Sequence, residues 1–251
     1  AYFGKLGDFV GRVYNYQRGE RQMTLSSHPK LWHLTEKPAT RENFRLPSDW
    51  RIEIGADTGT YCAAVVVGIS PEGDAFLLDE LTNYVYIAGT PELDPSGSIL
   101  SWAQALVRMA ALWKTRPMAW ADSNSQFKQE FLHHGVHLMG NQRGREVRTE
   151  ATRQYFQHDH IWLAPWLEIL PFEIEGAQWP ERTSASGKYE RAKSNDHALD
   201  CVEHVLSRHP RGKTQTPQKP LQPPVGSVQW LGSPIRKRKH GSSPDAHLGG
   251  N

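Results

Sequence analysis

Between residues 51 and 82 the chain presents three strands almost without interruption, and this constrains its fold more than any other feature. RIEIGADT (51–58) and TYCAAVVVGI (60–69) are separated by Gly59, and DAFLLDELT (74–82) follows the turn PEGD. Apolar and β-branched residues fill these runs while glycine and proline bound them, the pattern of strands joined by short turns. The pattern then changes period. Leu100, Ala103, Leu106, Val107, Ala110 and Leu112 recur mostly at helical spacing and predict a helix from about Ser98 to Lys114. MAWAD (118–122) predicts a short strand, Asn124 to His133 a helix, GVHLMG (135–140) a fifth strand, and Arg145 to His158 a polar helix. A Trp- and Pro-rich segment (161–181) precedes a last helix within SNDHALDCVEH (194–204). Three strands followed by alternating helix and strand predict an α/β fold, a mixed β-sheet flanked by helices.

Composition sets outer limits. At 251 residues with a mean hydropathy of -0.61 the chain is polar and long enough for one large domain or two smaller ones. No apolar run approaches the roughly 18 residues of a membrane span. Cys62 and Cys201 are the only cysteines and form no CxxC pair, so a reducing, intracellular setting is expected. Residues 1–49 read as a lead-in or linker with a hairpin turned at Arg18-Gly19-Glu20, 50–208 as the main domain, and 209–251 as a flexible, basic, Pro-rich tail. From Arg208 onward there are eight Lys/Arg and one acid, leaving 21 basic and 26 acidic residues before it. The run Arg236 to Lys239 reads as a solvated charged stretch. Gly212-Lys213-Thr214 resembles the end of a phosphate loop, but Ser207 stands where the earlier glycine belongs, and the loop is rejected.

The acids carry the chemistry. On the last helix Asp196, Asp200 and Glu203 fall on one stripe, where like charges repel. Asp57 closes the first strand and Asp122 closes MAWAD. Each has an ordinary reading, Asp57 as a turn residue in Asp-Thr-Gly and Asp122 as a helix N-cap. Of Asp79 and Glu80 inside the third strand, one is expected to face solvent. Active sites of open α/β sheets gather at strand ends, and carboxylates that converge there need a cation among them. Hard divalent ions such as Mg²⁺ and Mn²⁺ take oxygen ligands, and two of them about 4 Å apart can drive phosphodiester hydrolysis.

IEIGADTG, MAWADSN and KSNDHALDCVEHVLSR together resemble the C-terminal nuclease domain of tailed-phage terminase large subunits. GRVY (11–14) and LPSDWRIEIGADTG resemble the lead-in between motor and nuclease in that family, so the likeness spans about residues 8 to 208. The resemblance implies a ribonuclease H-like fold and a metal-dependent endonuclease that cuts concatemeric viral DNA during genome packaging, in the host cell cytoplasm. By position, Asp57, Asp122 and Asp200 correspond to the family's metal triad, with Asp196 a fourth ligand and His197 a proton-handling neighbour. The implied cofactors are two Mg²⁺ or Mn²⁺ ions, Asp57 bridging both and Asp122 and Asp200 holding one each. The implied partners are double-stranded DNA, the portal, the small terminase subunit and the ATPase domain of the same protein, with no membrane. The P-loop motor is missing from this sequence, so it reads as an isolated nuclease fragment without ATPase activity.

Lys188, Arg191 and Lys193, just before the last helix, are candidate DNA contacts; Arg143, Arg145, Arg148 and Arg153 form a second basic group that can equally solubilise a surface. Glu203 is left outside the site. His133, His134, His158 and His160 lack zinc spacing, and the nine tryptophans read as core. Rival readings remain. IGADTGT also resembles the phosphate motif of actin-like sugar kinases, but its required second copy is missing. Transposases, integrases and junction resolvases share the acid cluster, and a non-catalytic module binding DNA or a packaging partner is the non-enzyme alternative.

Overall fold

The computed structural model describes residues 12–16, 25, 28, 30–31, 40–87, 90–94, 98–122, 127–179 and 195–210. The hairpin expected at Arg18-Gly19-Glu20, the cluster Lys188, Arg191 and Lys193, and the tail beyond Pro210 lie outside the described residues. The chain divides into two compact units, Ala1–Gly212 and Lys213–Asn251.

The three leading strands form an antiparallel meander: β1 (Arg51–Thr58), β2 (Cys62–Ile69) and β3 (Ala75–Thr82). After a separate hairpin, β4 (Tyr84–Ile87) with β5 (Thr90–Leu93), the chain turns to helices and parallel additions. These are α1 (Ile99–Leu112), β6 (Met118–Asp122), α2 (Lys128–His133), β7 (His137–Asn141), α3 (Arg145–Gln157), β8 (Ile161–Leu163), α4 (Ile169–Gly176) and α5 (His197–Leu206). The six-stranded sheet has the order β7-β6-β1-β2-β3-β8, with β6 parallel to β1, β7 to β6 and β8 to β3. It is the expected mixed sheet flanked by helices. All eight residues of β2 are buried, as a central strand covered on both faces requires.

Local chemistry explains most boundaries. Ser98 caps α1 through a capping box with Ser101, each side chain taking the other's backbone N–H. Pro171 stands in the first turn of α4, where a missing N–H costs nothing. Glu80 accepts the backbone N–H groups of Glu168, Ile169 and Leu170 at 2.6, 2.8 and 2.8 Å, capping α4 from β3. Glu80, the half-buried one of the pair, thus turns outward but spends its carboxylate on α4. Asp79 is buried against Arg41, at 2.8 Å, and the Trp113 indole N–H, also at 2.8 Å. The two acids still alternate, opposite Val66 and Val65, and each face of the sheet supplies partners: Arg41 and Trp113 for Asp79, the start of α4 for Glu80.

The described pieces of the lead-in pack into the same core as the sheet. Tyr14 lies against Phe156 with ring centroids 5.0 Å apart, Val13 N–H donates to the Ala177 carbonyl, and Trp50 packs on Phe76. Among the described residues no helix is long and apolar enough to cross a membrane.

Candidate active site

Strand register brings the first two acids together. Ile54 pairs with Ala119 and Gly55 with Trp120 in a parallel ladder. Two residues further along each strand come Asp57 and Asp122, so both acids end neighbouring strands on the face that carries Gly55 and Trp120. α5 packs on that face. A Cβ on Gly55 would stand 1.9 Å from the Cys201 carbonyl oxygen, so only glycine permits this approach.

The sequence of α5 then meets the strand ends in order. His197, Asp200, Cys201 and His204 lie three or four residues apart and share a face. His197 Nδ1 is 2.8 Å from Asp57 Oδ2, and His204 Nε2 is 3.6 Å from Asp122 Oδ1. Asp200 lies on the helix between the two histidines. Asp196 is the N-cap residue and is buried. The positive end of the helix favours both acids.

The two histidines differ in character. Burial pulls the His197 imidazole down, but the hydrogen bond and charge of Asp57, with help from Glu173 and Asp196, more than reverse it, so its pKa is raised. Burial, with the charge of Arg148, pushes His204 down to about 3. His204 therefore meets Asp122 as a neutral ring. Burial foremost raises the Cys201 thiol well above its usual range, leaving it inert.

Arginines from α3 complete the cluster. The Arg145 guanidinium bonds Asp196 and lies 3.7 Å from Asp200 through the same nitrogen. Arg148 Nη1 is 3.3 Å from Asp122 and donates to the Arg143 carbonyl at 2.9 Å. Arg153 of the second basic group pairs instead with Glu150 on the surface. Nothing in the sequence from Arg143 to Arg153 separates these roles, since all four arginines are spaced like solvating charges.

Glu173 of α4 supports the site from beneath and was invisible in the sequence. Its Oε1 accepts Tyr84 and Tyr86 hydroxyls at 2.7 and 2.6 Å, and its Oε2 accepts the Leu199 N–H at 2.8 Å. It thus caps α5, whose own N-cap Asp196 makes no side-chain cap bond. Tyr61 and Tyr84 pack their rings 5.3 and 5.5 Å from the His197 ring. Glu203 points elsewhere, fully buried, accepting from Tyr14 at 2.5 Å and Thr149 at 3.0 Å.

The donors fit a hard divalent cation in kind, being carboxylate oxygens beside one imidazole. They do not fit one in their present position. Among the described residues no three His, Cys, Asp or Glu side chains form a group able to hold an ion. A cleft of about 470 Å³ lies at the other end of β1 and β6, lined by Arg51, Glu53, Lys114, Arg116 and Trp120, away from the acids.

No protein-family model matches this sequence, and no curated protein matches it. Solved structures do. The large terminase of a thermophilic bacteriophage overlays at a TM-score of 0.56 with 13% identity, covering 79% of this chain and 44% of that one. The P22 large terminase nuclease domain overlays at 0.50 with 14% identity, covering 67% and 87%. The nuclease domain of the SPP1 large terminase, solved with bound Mn, overlays more loosely at 0.46 with 20% identity, covering 64% and 88%. The chain thus spans less than half the length of the thermophilic phage's large terminase and most of the isolated P22 domain. At such identities the likeness is one of fold: this chain has the ribonuclease H-like α/β fold found in the nuclease domain of large terminases.

Proposed function

We propose that this chain is a divalent-metal-dependent endonuclease that cuts double-stranded viral DNA during genome packaging. The observation that carries the reading is the convergence of Asp57 and Asp122, on neighbouring strand ends, beneath the face of α5 that bears His197 and Asp200. In this reading Asp57, Asp122 and Asp200 hold two Mg²⁺ or Mn²⁺ ions, with Asp196 as a fourth ligand. Such ions, when bound, activate water and stabilise the leaving oxygen of a phosphodiester. The chain's own residues do the rest. His197 fixes the Asp57 carboxylate through Nδ1, which leaves Nε2 as the ring nitrogen that can pass on a proton. Glu173 and the tyrosines hold the start of α5 in place. Lys188, Arg191 and Lys193, which precede α5 in sequence, contact DNA phosphates.

The likeness in fold to terminase nucleases favours this reading over a transposase, integrase or junction resolvase. It also supports work beside an ATPase domain of the same protein, in the host cell, with portal and small subunit as partners. The test is cleavage of supercoiled plasmid in Mg²⁺ or Mn²⁺, comparing the wild type with Asp57→Ala and Asp200→Ala. The expected outcome is nicking by the wild type alone, about a hundredfold or more above either variant. Nicking that persists in both variants removes the assignment of these acids, and equal activity in EDTA removes the metal.

A further inference from the structure

We propose that the cleft at the end of β1 and β6 remote from the acids is a second nucleic-acid contact, which takes the phosphates of a DNA strand. Such a contact goes beyond the proposed function and needs no cation at the acids.

Three cations from separate segments meet there. Arg51 opens β1, Lys114 follows α1 and Arg116 precedes β6, and all three line the cleft of about 470 Å³. That volume falls within the roughly 300–1,000 Å³ of sites that enclose a small ligand. Each of the three side chains is exposed, and among the described residues none pairs with an acid. Six residue steps along β1, about 20 Å, separate Arg51 from Asp57, so the cleft is distinct from the acid cluster.

The carboxylate in the lining is already committed. Glu53 accepts the Trp120 indole N–H at 2.9 Å through Oε2, and its Oε1 lies 3.1 Å from His209 Nε2. Arg208 stacks on the Trp120 ring with its guanidinium carbon 3.3 Å from the centroid, so the indole is held at its edge and on one face. The cleft therefore carries surplus positive charge on a body that holds 23 Lys/Arg against 26 Asp/Glu.

Helix electrostatics account for one cation only. Lys114 stands at the carboxyl end of α1, where a positive charge offsets the helix dipole. Its φ of 52° is left-handed, a conformation that glycine or asparagine adopts at lower cost. Arg51 and Arg116 belong to no helix end. Guanidiniums match phosphate oxygens in pairs, while Ile52, Met118 and the fixed Trp120 supply apolar surface for sugar and base. Cations that track phosphates beside an aromatic ring are the means by which proteins hold a single strand. An acidic protein segment would engage the cations and leave the indole unused.

The test measures binding of a labelled oligo-dT strand by fluorescence anisotropy in EDTA, for the wild type and two charge-matched double variants. One is Arg51→Ala with Arg116→Ala. The other, Arg108→Ala with Arg153→Ala, removes two surface arginines away from the cleft, and melting points check that both fold. Each phosphate contact on a single strand contributes about 0.7 to the slope of log affinity against log salt, so the cleft double should lose about 1.4. Its loss of affinity between 50 and 200 mM salt should then be about sevenfold smaller than that of the wild type, while the control keeps the wild-type slope. A second measurement needs no variant: the Trp120 indole N–H resonance of the wild type should move on titration with the same strand. Equal changes in both doubles, an unchanged slope in the cleft double, or a Trp120 signal indifferent to saturating strand overturns the proposal. Poly-glutamate that displaces the strand at equal charge assigns the cleft to an acidic protein segment and overturns it too, as does dTMP binding as tight as the strand's. Because these measurements contain no metal, their failure leaves the reading of the acids untouched, and loss of that reading in the plasmid test leaves this site standing.

Discussion

Glu173 shows how a single side chain can set the pH response of this fold. Three donors aim at its carboxylate, from Tyr84, Tyr86 and Leu199. Burial opposes the charge that those donors favour and is the larger effect, pushing Glu173 up to about 7. A carboxyl whose folded pKa is raised binds its proton more tightly in the native state. Stability is then greatest below the unfolded value near 4.5 and falls as pH rises toward 7, after which it levels. The thermal midpoint of the wild type should accordingly decline between pH 5 and 7. Glu173→Gln, which cannot ionise, should remove most of that decline. An unchanged slope in calorimetric melts of the variant would show that Glu173 does not titrate in this range. Nothing in PFEIEGA marks Glu173 apart from its neighbour Glu175, because its role depends on hydroxyls that arrive from β4 and on an amide that arrives from α5.

At the scale of elements, the contact between β1 and α5 decides whether a site exists at all. Gly55 lets the helix backbone touch the strand, and the same contact places His197 over Asp57. Gly55→Ala forces a methyl into backbone rather than into a side chain that can move aside. Overpacking of this kind costs about 1–3 kcal/mol, and more where backbone must shift. The variant should lose that stability and most divalent-dependent cleavage together. Gly59→Ala is the control: the nearest atom to its Cβ lies 3.8 Å away, so its melting point and cleavage should match the wild type. The elements themselves were largely legible. β1, β2, β3, β6, α1, α3 and α5 are long or bounded enough for period and turn residues to declare them. β8, at three residues, is too short to show a period. α4 is hidden by the proline in its first turn, and the β4–β5 hairpin by the absence of a clear alternation. The placement of Asp57 and Asp122 at strand ends and of Asp200 on the last helix could be read from strand ends and helix spacing. Arg145 and Arg148 could not, because pairing across α3 and α5 is a product of packing that leaves no local pattern.

For the whole molecule, fold and charge point to a body that stands without its tail. The four candidate site acids, the six-stranded sheet and the helix that packs on it fall within Ala1–Gly212, one of the two compact units. That unit carries 23 Lys/Arg against 26 Asp/Glu, whereas the 39 residues beyond it carry six Lys/Arg and one acid. A body with surplus carboxylates gains no general attraction for a polyanion. On the proposed function, its hold on DNA comes from local basic groups and from divalent ions at the acids, all of which lie before Gly212. The core and the proposed site are built from residues before Gly212. The shortened protein should therefore melt within about 2 °C of the full chain, a difference under about 1 kcal/mol for a body of this size. It should also keep plasmid nicking in Mn²⁺ and lose it in EDTA, as the proposed function predicts for the full chain. A large drop in melting point would show that the second unit completes the core. Loss of nicking at an unchanged melting point would instead place the basic tail on the DNA, a role that comparing the salt dependence of binding for the two proteins would measure directly.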